Sequence, residues 1–374
     1  MPEPVLSQRT LNRTLLARQL LLEPVSMDPI AATEHLVGLQ AQLPTSPYIA
    51  LHARLARFDP AALSRAMDNR RAVRIVLMRG TIHLVSAEDA LLLRPVMQPV
   101  LDRELQANRT WSRGIEGVDL EPVLALGRAL VDERPRSLAE LRAALGAQVT
   151  HGDPGSLAYA VRNLLPTLQV TPRGLWGRSG EAKLTTVEAW LGRSISPDTD
   201  SQPALRRYLR AFGPASVADM QAWSRLTGLR PVVERMRPTL RPYRDERGRE
   251  LFDLEDGVIA DGDLPVGVRF LPDYDNALLS HDDRSRIIQP LPWPELGDNV
   301  TAPVYLVDGN VAGIWKLEKA TRRAEPARLV MRPLVEHTAD EDEAIQRGAG
   351  ALATFLATAD PAGPVPVVRR FGEA

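Results

Sequence analysis

Gln40 and Gln42 put two carboxamides two residues apart in the stretch Val37-Gly38-Leu39-Gln40-Ala41-Gln42-Leu43-Pro44. Gly38 weakens a helix interior and Pro44 pushes its predecessor out of the α region, so the pair is expected where a helix ends and the chain turns extended. Residues two apart on an extended chain point to the same side; on a helix they diverge by about 200°. Two amides aimed at one point can hold a water or a polar ligand, but neither takes a proton at neutral pH. Chemistry built on them is positional rather than acid–base. The spacing also suits plain polar surface at a helix end, since glutamine is mostly exposed.

A second polar cluster spans Leu271-Pro272-Asp273-Tyr274-Asp275-Asn276 and, further on, His281-Asp282-Asp283-Arg284-Ser285-Arg286. One reading makes Asp273 or Asp275 a general base and Arg284 and Arg286 phosphate clamps. The other, favoured for the acids, is a capped loop with a buried Arg–Asp network that fixes the C-terminal part to the third winged helix, at 196–256. The role of the two arginines stays open.

Composition narrows the field. The 374 residues allow two or three domains. The absence of cysteine removes disulfides and thiolate metal sites, and the six histidines show no metal-binding spacing. No metal or other cofactor is therefore expected. There is no signal-peptide pattern and no apolar run of about 18 residues, so a cytoplasmic protein without membrane contact is expected. The net charge of −1 does not announce nucleic acid, yet only Lys183, Lys316 and Lys319 are lysines among 46 basic residues. Arginine suits phosphate forks, although a GC-rich genome would favour it as well. Eight arginines lie between Arg225 and Arg249, including Arg241, Arg244 and Arg247, against Glu234, Asp245 and Glu246. Arg70, Arg71, Arg74 and Arg79 surround an earlier turn. Such stripes resemble a phosphate-binding face, the other reading being a solvated arginine surface with intramolecular acid partners.

The elements that must carry these residues repeat. Helices are expected at 8–22, after Asp28-Pro29, after Pro47 and after Asp59-Pro60, each Asp-Pro pair supplying an N-cap and a first helical proline. The runs 72–78 and 81–85 then form a hairpin through Arg79-Gly80, with His83 on its second strand facing either the core or DNA. Helices followed by a hairpin make a winged helix-turn-helix. A second set follows: a long helix from Ser86, helices at 119–131, 137–145 and 155–165, then strand-turn-strand at 167–171 and 175–176. A third set has helices near 202–212, 216–225 and 228–236 and a hairpin joining 239–244 to 249–254. Beyond Gly257 the chain becomes strand-rich, with Asp308-Gly309 a strong hairpin turn, a helix from Asp340 to about Leu356 and a last strand at 365–368. The expected fold is α+β: winged units at 1–108, 109–195 and 196–256, then a small β-rich domain at 257–374, C-shaped overall.

The order Gly-Leu-Gln-Ala-Gln, then Pro-Tyr, Arg-Gly-Thr-Ile-His-Leu-Val at 79–85, Leu-Pro-Asp-Tyr-Asp-Asn, and Asp-Arg-Ser-Arg at 283–286 resembles the bacterial winged-helix DNA glycosylases of the AlkZ/YcaQ family. The resemblance covers nearly the whole chain. It implies a monofunctional glycosylase that excises N-alkylated purines and unhooks interstrand crosslinks, as in the self-resistance enzymes of the AlkZ branch from Streptomyces. That branch carries Gln-apolar-Gln where the other carries Gln-apolar-Asp, which makes Gln40 and Gln42 the catalytic pair. It also implies a basic hairpin in the C-terminal half, for which Arg322-Arg323 is one candidate.

The chemistry agrees. A purine alkylated at N7 is already cationic, so its glycosidic bond breaks toward an oxocarbenium-like sugar without strong acid help. A held water and favourable dipoles are enough. The expected partner is duplex DNA bearing such lesions, bound by a monomer through residues such as Arg79, His83, Arg241, Arg244, Arg247, Arg284, Arg286, Arg322 and Arg323. The main rival is a non-catalytic winged-helix transcription regulator. A small-molecule enzyme with a base at Asp273 or Asp275 is the third.

Overall fold

Asp28, Asp59 and Asp153 each precede a proline, and each starts a helix: Pro29–His35, Pro60–Asp68 and Pro154–Leu164. Their carboxylates accept from Ile30, Ala61 and Ser156 main-chain N–H groups, while proline fills a position whose own N–H would lack a partner. Ser137 and Glu140 form a capping box at Leu138–Gln148, and Thr338 and Glu341 form another at Ala339–Ala357. Ser86 caps the long helix Ala87–Ala107, which continues through Pro95 and Pro99. A computed structural model describes residues 3–289, 301–318, 326–360, 363 and 365–370. The fold is α+β, and no described helix is long and apolar enough to cross a membrane.

The first hairpin, Ala72–Val76 with Ile82–Ser86, and the third, Leu240–Asp245 with Glu250–Leu254, lie where the turn chemistry puts them. The second differs. Thr167–Gln169 pairs with Lys183–Thr186, not with residues 175–176. Gly174 and Gly177 have φ of 97° and 66°, so the chain loops outward instead of returning. Leu175 and Trp176 are apolar for another reason. The Trp176 ring stacks 4.8 Å from Phe355 and lies 4.9 Å from Tyr48, wedging the loop between early and late helices.

The first two hairpins also merge. One six-stranded sheet runs Leu39–Gln40, Ile82–Ser86, Ala72–Val76, Thr167–Gln169, Lys183–Thr186, Arg136–Ser137, joined where Arg74 and Ile75 meet Gln169 and Leu168. Val5–Leu6 adds a parallel strand to the third hairpin, and a five-stranded sheet holds the C-terminal strands. Burial links these parts. Val73, Ile75 and Val85 share a core with Tyr208, Phe212 and Trp223, and the helix Ser46–His52 shares one with Phe270, Trp315 and Leu352. Each fully buried side chain of this kind is worth roughly 1.5–3 kcal/mol. The first part of the chain thus packs against both later parts, and the polar groups at its seams are fixed from several directions.

Candidate active site

The helix Pro29–His35 ends at Leu36, and Val37 and Gly38 then turn the chain with φ of 55° and 90°. Positive φ is costly for a β-branched valine, and a Cβ at Gly38 would lie 2.7 Å from Val85 Cγ1, so only glycine fits. This turn delivers Leu39–Gln40 into the sheet, where Gln40 sits opposite His83. Ala41 is pinned from both sides: its N–H donates to Ile82 O at 2.7 Å, and its carbonyl accepts from Arg74 Nη2 at 2.7 Å. The motif enters extended at Leu39–Gln40, as expected, and the chain bends at Gln42. Its two amides differ, however: Gln40 is 6% exposed, whereas Gln42 is exposed and its side chain makes no hydrogen bond among the described residues.

Gln40 is held by Arg79. Arg79 Nη2 donates at 2.7 Å to Gln40 Oε1 and at 2.7 Å to Asn276 Oδ1, and Nη1 donates at 3.0 Å to Trp223 O. Arg79 and Gly80 both adopt left-handed φ, 58° and 69°, which swings the guanidinium back from the hairpin turn toward the strands. Asn276 Nδ2 in turn donates to Gly38 O at 3.1 Å. His83 is fully buried; its Nδ1 donates to Thr81 O at 3.0 Å, leaving Nε2 as an acceptor 3.4 Å from Arg79 Nη2. Burial, reinforced by the Arg79 charge, pulls the His83 pKa down to about 3, so the ring is neutral. Burial and the nearby Arg284 and Arg225 lower Arg79 to about 10, still protonated at neutral pH. Every group that Arg79 touches here is a neutral acceptor.

Asp275, a possible base on sequence grounds, is committed elsewhere. Both its oxygens accept from Arg54, at 2.8 and 2.9 Å, with each side chain 1% exposed, and Oδ1 also caps the short helix Asn276–Leu279. A carboxylate locked in this way has no free oxygen to take a substrate proton. Its partner is Arg54 rather than either arginine of its own cluster, so this pair ties the C-terminal part to the first unit and not, as expected, to the third. Burial raises the Asp273 pKa.

The arginines separate into reachable and enclosed. Arg241 is exposed, with its guanidinium 5.2 Å from the Tyr243 ring. Arg244 pairs with Glu3 at 2.8 Å and Arg247 with Asp283 at 3.1 Å. Arg230, Arg237 and Arg249 are also ion-paired, through Glu250 and Asp283 among others. Glu3, Glu250 and Asp283 lie outside the window in which the sequence shows few acids, so much of the arginine stripe is an intramolecular network. Arg284 is half-buried. Arg286 is buried and donates to Pro214 O at 3.0 Å. Arg286 and His83 are thus shut inside, where neither reaches a duplex in this conformation. Arg322 and Arg323 lie outside the described residues. Beside Arg79 opens a cleft of about 610 Å3 lined by Arg103, Glu104, Asn108 and Arg225.

Sequence reasoning finds Gln40, Gln42 and Arg79 but misses what joins them. Asn276 stands in the second polar cluster but its role as a brace does not show there, and Arg54 carries no local signal, because their partners lie about two hundred residues away in the chain.

A family model described as DNA glycosylase AlkZ-like matches residues 33–355, a span that contains every residue of this site. The chain is 22% identical over 320 residues to an interstrand DNA cross-link repair glycosylase from Streptomyces sahachiroi, covering 75% of this chain and 80% of that protein. The solved structure of Streptomyces sahachiroi DNA glycosylase AlkZ matches with a TM-score of 0.71 at 20% identity, covering 98% of this chain and all of the other. At that identity the structural likeness is one of fold.

Proposed function

We infer that this chain, which belongs to the AlkZ-like DNA glycosylase family and so hydrolyses N-glycosyl bonds in DNA, acts on purines alkylated at N7, with Gln40 and Gln42 positioning the attacking water. One observation carries the reading: an oriented amide at Gln40 and an exposed one at Gln42 flank a main-chain segment hydrogen-bonded on both sides. Asp275, the buried carboxylate of the polar cluster, is already paired. Amides cannot protonate a leaving base, so the lesion must supply its own activation, which an N7-alkyl cation does. The protein contributes a water at a fixed place and dipoles that favour positive charge on the sugar. Membership of an enzyme family disfavours the non-catalytic regulator.

The three hairpins, each preceded by helices, support the reading of three tandem winged units at 1–108, 109–195 and 196–256, with the C-terminal part at 257–374, arranged as a C around the duplex. Exposed Arg241, and Arg244 and Arg247 after exchanging their acids for phosphate, would meet the backbone. The curated relative is named for interstrand crosslink repair. A lesion tied to both strands cannot be flipped fully into a deep pocket, and an open cleft suits it. The test is to incubate the protein with duplexes carrying N7-methylguanine, a bulky N7 monoadduct or an N7-linked crosslink, and to score abasic sites by alkaline cleavage. Cleavage at the alkylated guanine and none in undamaged duplex is expected. No release from any of the three would contradict the substrate class.

A further inference from the structure

The Gln40 amide has only one orientation compatible with its neighbour. A guanidinium has donors and no acceptor, so the atom facing Arg79 Nη2 at 2.7 Å must be the carbonyl Oε1. That contact is charge-assisted, and a flipped amide would set N–H against N–H beside a buried cation. Asn276 Oδ1 and Trp223 O take further Arg79 donors at 2.7 and 3.0 Å, and neutral His83 stands behind Nη2 at 3.4 Å, so the guanidinium itself cannot turn away. Gln40 Nε2, by contrast, makes no hydrogen bond among the described residues. Gln42, exposed and without a hydrogen-bond partner there, retains both ends.

We propose that Arg79 is a positioning residue that fixes Gln40 as the hydrogen-bond donor of the pair, leaving Gln42 as the acceptor. The proposal rests on the reading of the two glutamines as the water-holding pair and divides their labour. Gln40 Nε2–H holds the water oxygen in place, while Gln42 Oε1 accepts one water hydrogen and turns a lone pair toward the anomeric carbon. The attack forms the C–O bond as the C–N bond breaks, the bonding pair leaves with the purine, and the excess proton passes to bulk solvent. Polarisation of the Gln40 carbonyl by Arg79 strengthens its N–H donor. The cationic charge of Arg79 stays behind the amide, on the side away from the water.

The two amides should therefore respond oppositely to conversion into carboxylates. Single-turnover excision of N7-methylguanine is measured for Gln40→Glu, Gln42→Glu, the two alanine variants and Arg79→Met and Arg79→Lys, with duplex affinity and Tm recorded alongside. Gln40→Glu loses its donor and should slow excision about 100-fold, as much as Gln40→Ala does, whereas Gln42→Glu keeps its acceptor and should lose at least tenfold less than Gln42→Ala. Arg79→Met should lower the rate at least tenfold with unchanged duplex affinity, and Arg79→Lys should recover part of it. Its effect should also be non-additive with Gln40→Glu, because both act through one amide. A purely structural Arg79 would move Tm and leave that coupling at zero. An active Gln40→Glu together with an impaired Gln40→Ala would overturn the donor assignment and leave the catalytic pair standing. Full activity in both alanine variants would overturn the pair itself.

Discussion

Arg54 and Asp275 form a two-pronged ion pair sealed from water, joining the helix Ser46–His52 and its exit to a loop more than two hundred residues later. Arg54 Nε and Nη1 also donate to Gln19 O and Ala50 O, so the pair stitches three segments. Its next neighbour in the chain, Asn276, is the residue that braces Arg79. The pair thus helps to set the position of Arg79 and, through it, of Gln40.

Removing one partner of a buried ion pair strands the other charge, which costs about 3–5 kcal/mol. Asp275→Ala should lower Tm substantially and, by releasing Asn276, also slow excision. The double variant Arg54→Met/Asp275→Leu should recover most of the Tm. Thermal unfolding of the set checks this; equal Tm values throughout would contradict it.

Acid should destabilise the protein through its histidines. Burial pulls His52 down to about 4, burial and the Arg79 charge take His83 to about 3, and burial and Arg286 lower His281. Unfolded histidines bind protons near pH 6.5. Below that value the unfolded chain therefore binds more protons than the native one, and stability falls with pH down to the depressed values; above it, this contribution is fully present. The slope is about 1.4 kcal/mol per pH unit for each histidine. Urea midpoints at pH 7.5, 6 and 5 should decline, less steeply in His83→Gln.

Gly38 sets the entry to the motif. Gly38→Ala would place a Cβ against Val85 in a left-handed conformation, costing on the order of 1–3 kcal/mol, and would shift Gln40 out of register with Arg79. Excision should fall more than duplex affinity does, as single-turnover rates and binding titrations would reveal.

How much of this was legible in the sequence follows from the range of the interactions. The Asp-Pro helix starts and the first and third hairpins are local chemistry, and the structure follows them within a few residues. The Gln40–Gln42 motif is local too. What escapes is set by distant partners. The loop through Trp176 is fixed by Tyr48 and Phe355 rather than by its own turn residues. The merged sheet depends on Arg74 meeting Gln169. Arg79 looks like a basic hairpin tip, yet its left-handed backbone carries it inward to Gln40. Acids that neutralise the arginine stripe, Glu3 and Asp283 among them, lie outside it in the chain, on either side.

That division predicts which arginines matter for binding. Arg241 and Arg225 are exposed, whereas Arg247 already pairs with Asp283. If the first two meet phosphates, Arg241→Gln and Arg225→Gln should each make the slope of log affinity against log salt shallower by about one. Arg247→Gln should change it less. Identical slopes for all three variants and wild type would place the duplex elsewhere.

Two amides holding one water are the centre of the proposed chemistry. Single-turnover excision of N7-methylguanine by the Gln40→Ala/Gln42→Ala variant, at protein concentrations that saturate the duplex, tests it most directly. A loss of about 100-fold or more with duplex affinity and Tm retained is the predicted result. Excision at the wild-type rate would contradict it.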